Sequence, residues 1–497
     1  MDPRTPIIVG VGQVTNRGKA YVEALDLMEQ ASVLALEDAG TKVAPFIDCV
    51  QVVNAISHTY ANPPGDLADR LKLPDGIRQY TAIGGNTPQW LIGKAGDAIQ
   101  SGSIKGVLIA GAEAGDSAKR ARKDGVQQAG ARSTTASTCE VIGDGRMGAG
   151  PAEMAAGLMG PPQLYPLLEN AIAHRAGRSP EEQRHFLATF MARATQVAAS
   201  HPDLAWFPQE RSAAEIAEIT PQNRMIGEPY PKLMNAIMSV DQGASIILTS
   251  VENAEAAGIP RSQWVFPWSS ADCNDVFYPA ERPDLSRSPG IAAAGKLALT
   301  AAGVGVDDIA TFDFYSCFPC AVEMGAEALG ISVDDPRGMT VTGGLAYFGG
   351  PGNNYVAHSI ATTVDLCRET PENIGLVTGL GWYVTKHAVG LYSATPPPRG
   401  WQRPDPTKAQ KEIDDTALEV DLAPSGTVEV EAMTVLHDRV AGPVAAPIIG
   451  RLKNGKRVVA LTEDPSLPAQ LAGTSLTGTR VSVTSAAQGG APVYRPL

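Results

Sequence analysis

Short apolar blocks closed by glycine alternate with runs whose apolar residues recur at helical spacing. PIIVGVGQV (6–14) is an unbroken apolar run ending in glycines and predicts a strand. ALDLMEQASVLALEDAG (24–40) carries apolar residues every three to four positions and stops on a glycine, which predicts a helix. IDCVQVVNAI (47–56) is rich in β-branched residues. QYTAIGGN (79–86) leads through a glycine turn into the helix TPQWLIGKAGDAIQSG, and IKGVLIAGAEA (104–114) reads as a buried strand ending in small residues. This alternation predicts layered α/β structure.

The second half repeats the scheme. QGASIILTSVENAEAAGI (242–259) reads as strand then helix, SPGIAAAGKLALTAAGV (288–304) as helix, and DIATFDFYSC (308–317) as strand. LAYFGGPGNN then YVAHSIATTVDLCRE reads as strand, glycine turn, helix, and ENIGLVTGLGW (372–382) as the next strand. The order matches TAIGGNTPQWLIGKAGDAIQSG followed by KGVLIAGAEA, so the halves read as an internal duplication. Residues 115–240 break the pattern with helical stretches such as EEQRHFLATFMARATQVAAS (181–200), predicting an insertion over one face of the core. A proline-rich run at 396–408 reads as a stiff linker. Beyond it, TALEVDL, GTVEVEAMTVLH, APIIGRLKNGKRVVALTED, GTRVSVTSA and VYRPL are β-patterned, with Asn454-Gly455 as a hairpin signal. The expected organisation is a half at 1–114, an insertion at 115–240, a second half at 241–395, the linker, and an OB-like antiparallel barrel at 409–497.

Composition narrows the function classes. The chain has 497 residues, 44% of them apolar, which suits two or more ordinary cores. Its 51 glycines and 38 prolines favour tight turns over long helical arrays. A net charge of −13 argues against nucleic acid as a bulk partner. No apolar run approaches membrane-spanning length, and MDPRTPIIVGVGQ lacks the pattern of a secretory signal, so the expected location is cytoplasmic. Six cysteines are too sparse for a disulfide scaffold. Cys317-x-x-Cys320 has the spacing of half a zinc site or a redox pair, but no second pair follows, so no metal is expected and burial is the competing reading.

The duplicated halves, the insertion and the order of four loops resemble the thiolase family, specifically the sterol-carrier-protein thiolases and thiolase-like proteins, over roughly residues 5–395. The resemblance implies a five-layer αβαβα fold, an acyl-CoA or coenzyme A ligand, no covalently bound cofactor, and a fold that usually dimerises through its core. It also places the family's functional loops. The turn IGGNTPQ puts Gly85 where a thiolase carries its nucleophilic cysteine. The motif that reads HDCF in such proteins is Tyr315-Ser316-Cys317-Phe318 here, so Tyr315 replaces a histidine. Gly349-Gly350-Pro351 matches a Gly-His-Pro turn, with Gly350 for the histidine, and Thr378 stands for the second cysteine. Thiolase chemistry needs a thiolate nucleophile, an oxyanion hole and a second thiol as base. Glycine and threonine supply none of the thiolate steps, so thiolase activity is not expected.

Other groups remain as candidates. Lys119, Arg120, Arg122 and Lys123 form a dense basic run where the insertion begins; they would meet the phosphates of coenzyme A, or form a solvated loop. Arg211 and Lys232 are secondary candidates, and Lys386-His387 follows the last glycine loop without an assigned role. Gly349 and Gly350 would bring backbone N–H groups to a thioester, or permit close packing of the halves. Tyr315, Tyr347 and His358 are the candidate catalytic side chains, each with burial as the competing reading. Some thiolase-like proteins are aldolases acting on steroid acyl-CoA side chains with an OB-fold partner subunit, and the β-rich tail looks similar to a fused version of that partner. Three functions follow: an acyl-CoA-binding protein without thiolase activity, an acyl-CoA aldolase using tyrosine acid–base chemistry, and a scaffold recruiting another protein through its β domain.

Overall fold

A computed structural model describes residues 1–126, 139–486 and 490–497. Two sheets lie face to face with helices between and outside them. The first has six strands in the order Pro6–Thr15, Asp241–Ser250, Gly106–Ala114, Cys49–Val52, Ile77–Thr81, Glu140–Ile142. The second has four, in the order Thr311–Asp313, Gly375–Gly381, Lys386–Ser393, Phe266–Asn274. The helices Thr87–Ser101 and Tyr355–Glu369 run between the sheets and touch strands of both. Ala24–Ala39 covers the outer face of the first sheet and Pro289–Ala302 that of the second. The result is the five-layer αβαβα arrangement of the thiolase fold.

Sequence explains the layers. Strands such as Gly106–Ala114 and Asp241–Ser250 are buried at every position, as central strands covered on both faces must be. Helix Thr87–Ser101 ends at Gly102 (φ 75°), whose N–H reaches the carbonyls of Ala98 and Ile99. Sequence pattern misassigned three stretches. Leu345–Phe348 is a turn, because Gly343 (φ 110°) and Gly344 (φ 78°) curl the chain and the Tyr347 and Phe348 N–H groups return to Gly344 O. Its apolar residues reflect burial, not strand pairing. The predicted strand at 308–317 is paired only over Thr311–Asp313, and residues 416–422 make a single bridge at Val420.

Helices Pro161–Arg175 and Pro180–Ser200 lie in the insertion. The proline-rich run is pinned to the core: Trp401 Nε1 donates to Asp97 at 3.0 Å, and Arg403 bridges Asp97 (2.9 Å) and Asp272 (2.7 Å). The C-terminal strands close a barrel in the circular order Ser425–Met433, Ile448–Leu452, Arg457–Thr462, Val493–Pro496, Arg480–Thr484. In chain order this is 1-2-3-5-4 returning to 1, with the third and fifth strands parallel, the OB arrangement. A hairpin inside it, Leu436–Asp438 with Gly442–Ala445, pairs with Met225–Gly227 of the insertion. Among the described residues, no helix is long and apolar enough to cross a membrane.

Candidate functional site

The two glycine turns meet at the centre of the molecule. Asn353, at the end of the second, accepts from the Gly84 N–H at 2.9 Å and donates to Asn54 O at 2.9 Å. Asn354 donates to Gly111 O at 2.6 Å. Close approach explains two of the glycines. A Cβ on Gly349 (φ 121°) would lie 2.1 Å from Gln242 Oε1, and one on Gly352 (φ 53°) 2.2 Å from Glu113 Oε1. Gln242 in turn donates to Phe348 O at 2.9 Å, and Glu113 accepts from the Ile56 and Ser57 N–H groups at 2.7 Å each. Gly350 differs: its nearest neighbours, Ile237 O and Leu345 Cδ2, would lie 3.3 and 3.5 Å from an added Cβ.

Gly85 opens the helix Thr87–Ser101, and its Cβ position is already taken. A Cβ there would lie 2.2 Å from the Tyr315 hydroxyl and 2.5 Å from Leu380 O. Tyr315 is 7% exposed, stands edge-on to Tyr355 with ring centroids 5.7 Å apart, and its N–H donates to Thr378 Oγ1 at 2.9 Å. Thr378 thus sits inside a strand, holding the Tyr315 backbone; the chain facing Gly85 is Leu380. Burial raises the Tyr315 hydroxyl well above its ordinary pKa, with the Cys317 and Tyr355 groups adding to the shift. At neutral pH Tyr315 therefore keeps its proton and stands as a neutral phenol.

Behind Tyr355 lies Asp313, fully buried. It accepts from Ser359 (2.6 Å), Tyr355 (3.1 Å), Thr340 (2.8 Å) and the Val341 N–H (3.0 Å). Burial raises its pKa despite those donors. The side chain fixes the loops around Tyr315 and faces no opening of its own.

Beside Ser316 an apolar cleft of about 60 Å³ opens under the insertion helix Pro180–Ser200. Phe190, Met191, Phe318, Val322, Gly344 and Tyr347 line it. Tyr347 is 2% exposed and its hydroxyl has no hydrogen-bond partner among the described residues. Burial pushes that hydroxyl far above its ordinary pKa, so it is a neutral donor awaiting an acceptor.

His358 does not join this site. It is wholly buried, with Nδ1 2.8 Å from Gln13 Oε1 and its ring against Phe348. Burial drops its pKa to about 3, so it stays neutral. Of the basic run, Arg120 is committed to Asp116 at 2.7 Å and to main-chain carbonyls of residues 18–20. Lys119, Arg122 and Lys123 are exposed on the helix Gly115–Lys123. That helix starts where Ala236–Val240 runs past the glycine turn: the Gly115 N–H donates to Val240 O and the Gly350 N–H to Ile237 O.

No activated thiol is present. All six cysteines are free, and burial raises every one; Cys317, the thiol closest in sequence to Tyr315, is pushed up to about 12. One further cluster mimics a catalytic triad. Ser288, His387 and Asp275 converge, but His387 Nε2 faces both the Asp275 carboxylate (2.8 Å) and the Ser288 hydroxyl (3.1 Å). A relay needs both ring nitrogens, one for each partner. Ser288 instead caps helix Pro289–Ala302, with Asp275 accepting from the Gly290 N–H at 2.9 Å. Two arrangements were not foreseen from the sequence: the buried carboxyl of Glu169 next to the half-buried Glu323, and the buried amine of Lys386 beside Gly84.

Stacked sheets with paired central helices, and glycine turns meeting between them, define a thiolase-fold protein. Comparison with solved structures gives the family. The crystal structure of a monomeric SCP2-thiolase-like protein type 1 from Mycobacterium smegmatis is 34% identical over 100% of both chains, with a TM-score of 0.86. The chain belongs to this family of SCP2-thiolase-like proteins. Residues 409–488 match the family model described as the thiolase-like protein type 1 additional C-terminal domain. Two more distant structures share the fold: an Ltp2-ChsH2(DUF35) aldolase (18% identity, TM-score 0.59) and an acetyl-CoA acetyltransferase from Syntrophomonas wolfei (17%, 0.56). Each covers 79% of this chain and 99% of its own. No curated protein sequence matches the chain.

Proposed function

We propose that the protein binds an acyl-CoA and does not carry out thiolase chemistry. The observation that carries this reading is Gly85: no nucleophile stands there, and Tyr315 fills the space one would need. The apolar cleft suits the start of a short acyl group; the unpartnered Tyr347 hydroxyl is itself covered and would meet a carbonyl oxygen only once uncovered. Lys119, Arg122 and Lys123, exposed and without an ion pair among the described residues, would meet nucleotide phosphates; Arg120 is held by Asp116. A cleft of about 60 Å³ is far below the few hundred Å³ typical of ligand pockets, so binding requires the insertion helix to move outward. Calorimetric titration with acetyl-CoA should show saturable heat, and acetoacetyl-CoA thiolysis should stay at the uncatalysed rate. Flat heat at millimolar ligand would remove the binding reading, and measurable thiolysis would remove the second half.

The aldolase alternative rests on Tyr315, which at neutral pH could act only by donating its proton. Under it, Tyr315→Phe should abolish cleavage of a β-hydroxyacyl-CoA; unchanged cleavage excludes that role. We also propose that the chain is a monomer. Its sheet edge at Ile77–Thr81 is already paired by Glu140–Ile142, leaving only a three-residue strand at the rim. Light scattering after gel filtration should give the single-chain mass of 52.0 kDa, and twice that mass would contradict it.

A further inference from the structure

Lys386 is a buried amine placed against the turn that lacks the nucleophile. Its residue is 4% exposed, and Nζ donates to Ile83 O at 2.7 Å and Asp144 O at 3.1 Å. Both acceptors are neutral carbonyls. The Asp144 carboxylate is turned to Arg146 at 2.6 Å, and among the described residues no ion pair reaches Lys386. A Cβ built on Gly84 would lie 3.1 Å from Nζ, so the amine sits beside the turn that starts helix Thr87–Ser101. The same added Cβ would lie 2.5 Å from Asn86 Oδ1, an acceptor that is buried and unpartnered. The loop that delivers Lys386 is strained: Trp382 (φ 57°) and Val384 (φ 56°) both hold left-handed backbone, which a β-branched valine rarely adopts. Tyr165 fixes this loop by donating to Trp382 O at 2.6 Å, and Arg282 by donating to Tyr383 O at 2.8 Å. Strained backbone that over-determined contacts keep in place is common where a side chain must be aimed.

We propose that Lys386 is an acyl-acceptor site: its amine attacks a thioester carbonyl carbon and keeps the acyl group as an amide. The nitrogen lone pair forms the C–N bond, the C–S bond breaks, and the thiolate leaves with the proton the nitrogen sheds. No oxidant, reductant or metal is needed. Desolvation lowers the Lys386 pKa to about 8, so a useful fraction of the amine is free at neutral pH. Asp144 O, in the largely exposed loop at residues 143–147, covers Nζ, so a thioester reaches the amine only once that loop is displaced. The inference deepens the thioester-binding reading and rests on it for the choice of ligand class.

The test maps acylation on the wild-type full chain, by peptide mass spectrometry, after exposure to either of two probes. One is the acetyl thioester of N-acetylcysteamine, which has no nucleotide; the other is acetyl-CoA. Lys386 should be acetylated about tenfold faster than exposed Lys119 and Lys123 near pH ~7, because desolvation keeps part of its amine free there. Its rate should level off above about pH 8. Labelling of Lys386 by both probes supports both readings. Labelling by the small thioester alone supports the amine and counts against coenzyme A binding. Acetylation that simply follows exposure, with Lys386 unlabelled by either probe, overturns the proposal. Lys386→Arg should remove the label while leaving the thermal midpoint within a few degrees.

Discussion

At the scale of single residues, glycine is used here in two different ways, and substitution separates them. Gly349 (φ 121°) has no room for a Cβ, since Gln242 Oε1 would lie 2.1 Å away and Gln242 also holds Phe348 O. Gly349→Ala should therefore cost about 2 kcal/mol or more. Gly350 has no positive φ and meets nothing closer than 3.3 Å, so Gly350→Ala should cost about 1 kcal/mol or less. Thermal unfolding of the two variants checks this, and equal losses would contradict it. The family resemblance implied that Gly85 and Gly350 stand at positions that carry chemistry elsewhere. What filled the space over Gly85 was not legible, because Tyr315 reaches it from the other half of the chain. His358 read as a candidate since helical spacing says nothing of its partner; the partner is Gln13, in the first strand. Lys386 was visible as a residue but not as a buried amine, because its burial depends on the strained loop before it.

At the scale of elements, the C-terminal strands were readable from alternation and from Asn454-Gly455, which does join Ile448–Leu452 to Arg457–Thr462. The hairpin at 436–445 was not, since its strand Leu436–Asp438 pairs with a segment of the insertion far away in sequence. Nor could alternation reveal how the barrel is fixed to the core. Arg457, 0% exposed, pairs with Glu431 and donates to Arg282 O at 2.5 Å. Burial lowers its pKa to about 10, so it stays charged at neutral pH. Arg451 pairs with the same carboxylate at 2.6 Å but is 31% exposed. Arg457→Met leaves buried carbonyls without a donor and should cost about 2–4 kcal/mol. Arg451→Met should cost under about 1 kcal/mol, as partly exposed pairs do. Limited proteolysis of the barrel alongside thermal unfolding distinguishes the two; similar losses would mean Arg457 does not anchor the domain.

At the scale of the whole molecule, the helices Pro161–Arg175 and Pro319–Ala328 are joined through a buried carboxyl, Glu169, and a half-buried one, Glu323. Glu169, on helix Pro161–Arg175, and Glu323, on helix Pro319–Ala328, share the side-chain amide of Gln183. Gln183 donates to Glu169 at 2.6 Å and to Glu323 at 3.1 Å, and the Tyr230 hydroxyl donates to Glu169 at 2.5 Å. Burial raises both carboxyl groups, Glu323 the further because the Glu169 charge adds to it. A carboxyl raised on folding binds more protons in the folded state than in the unfolded one. Its stabilising effect is therefore complete below the unfolded pKa of about 4.5 and is lost as pH rises through the folded value. The thermal midpoint should therefore fall as pH rises above the unfolded value. Glu323→Gln removes the second charge, keeps an acceptor for Gln183 and supplies an N–H to Glu169, so the fall should shrink and stability near pH ~8 should rise by about 1–2 kcal/mol. Glu327→Gln, whose partly exposed carboxylate pairs with Arg175 at 2.5 Å, should leave the fall in place. An unchanged pH profile in Glu323→Gln would mean that the pair does not govern how the insertion is held, and the outward motion needed to admit a ligand would then have to be resisted elsewhere.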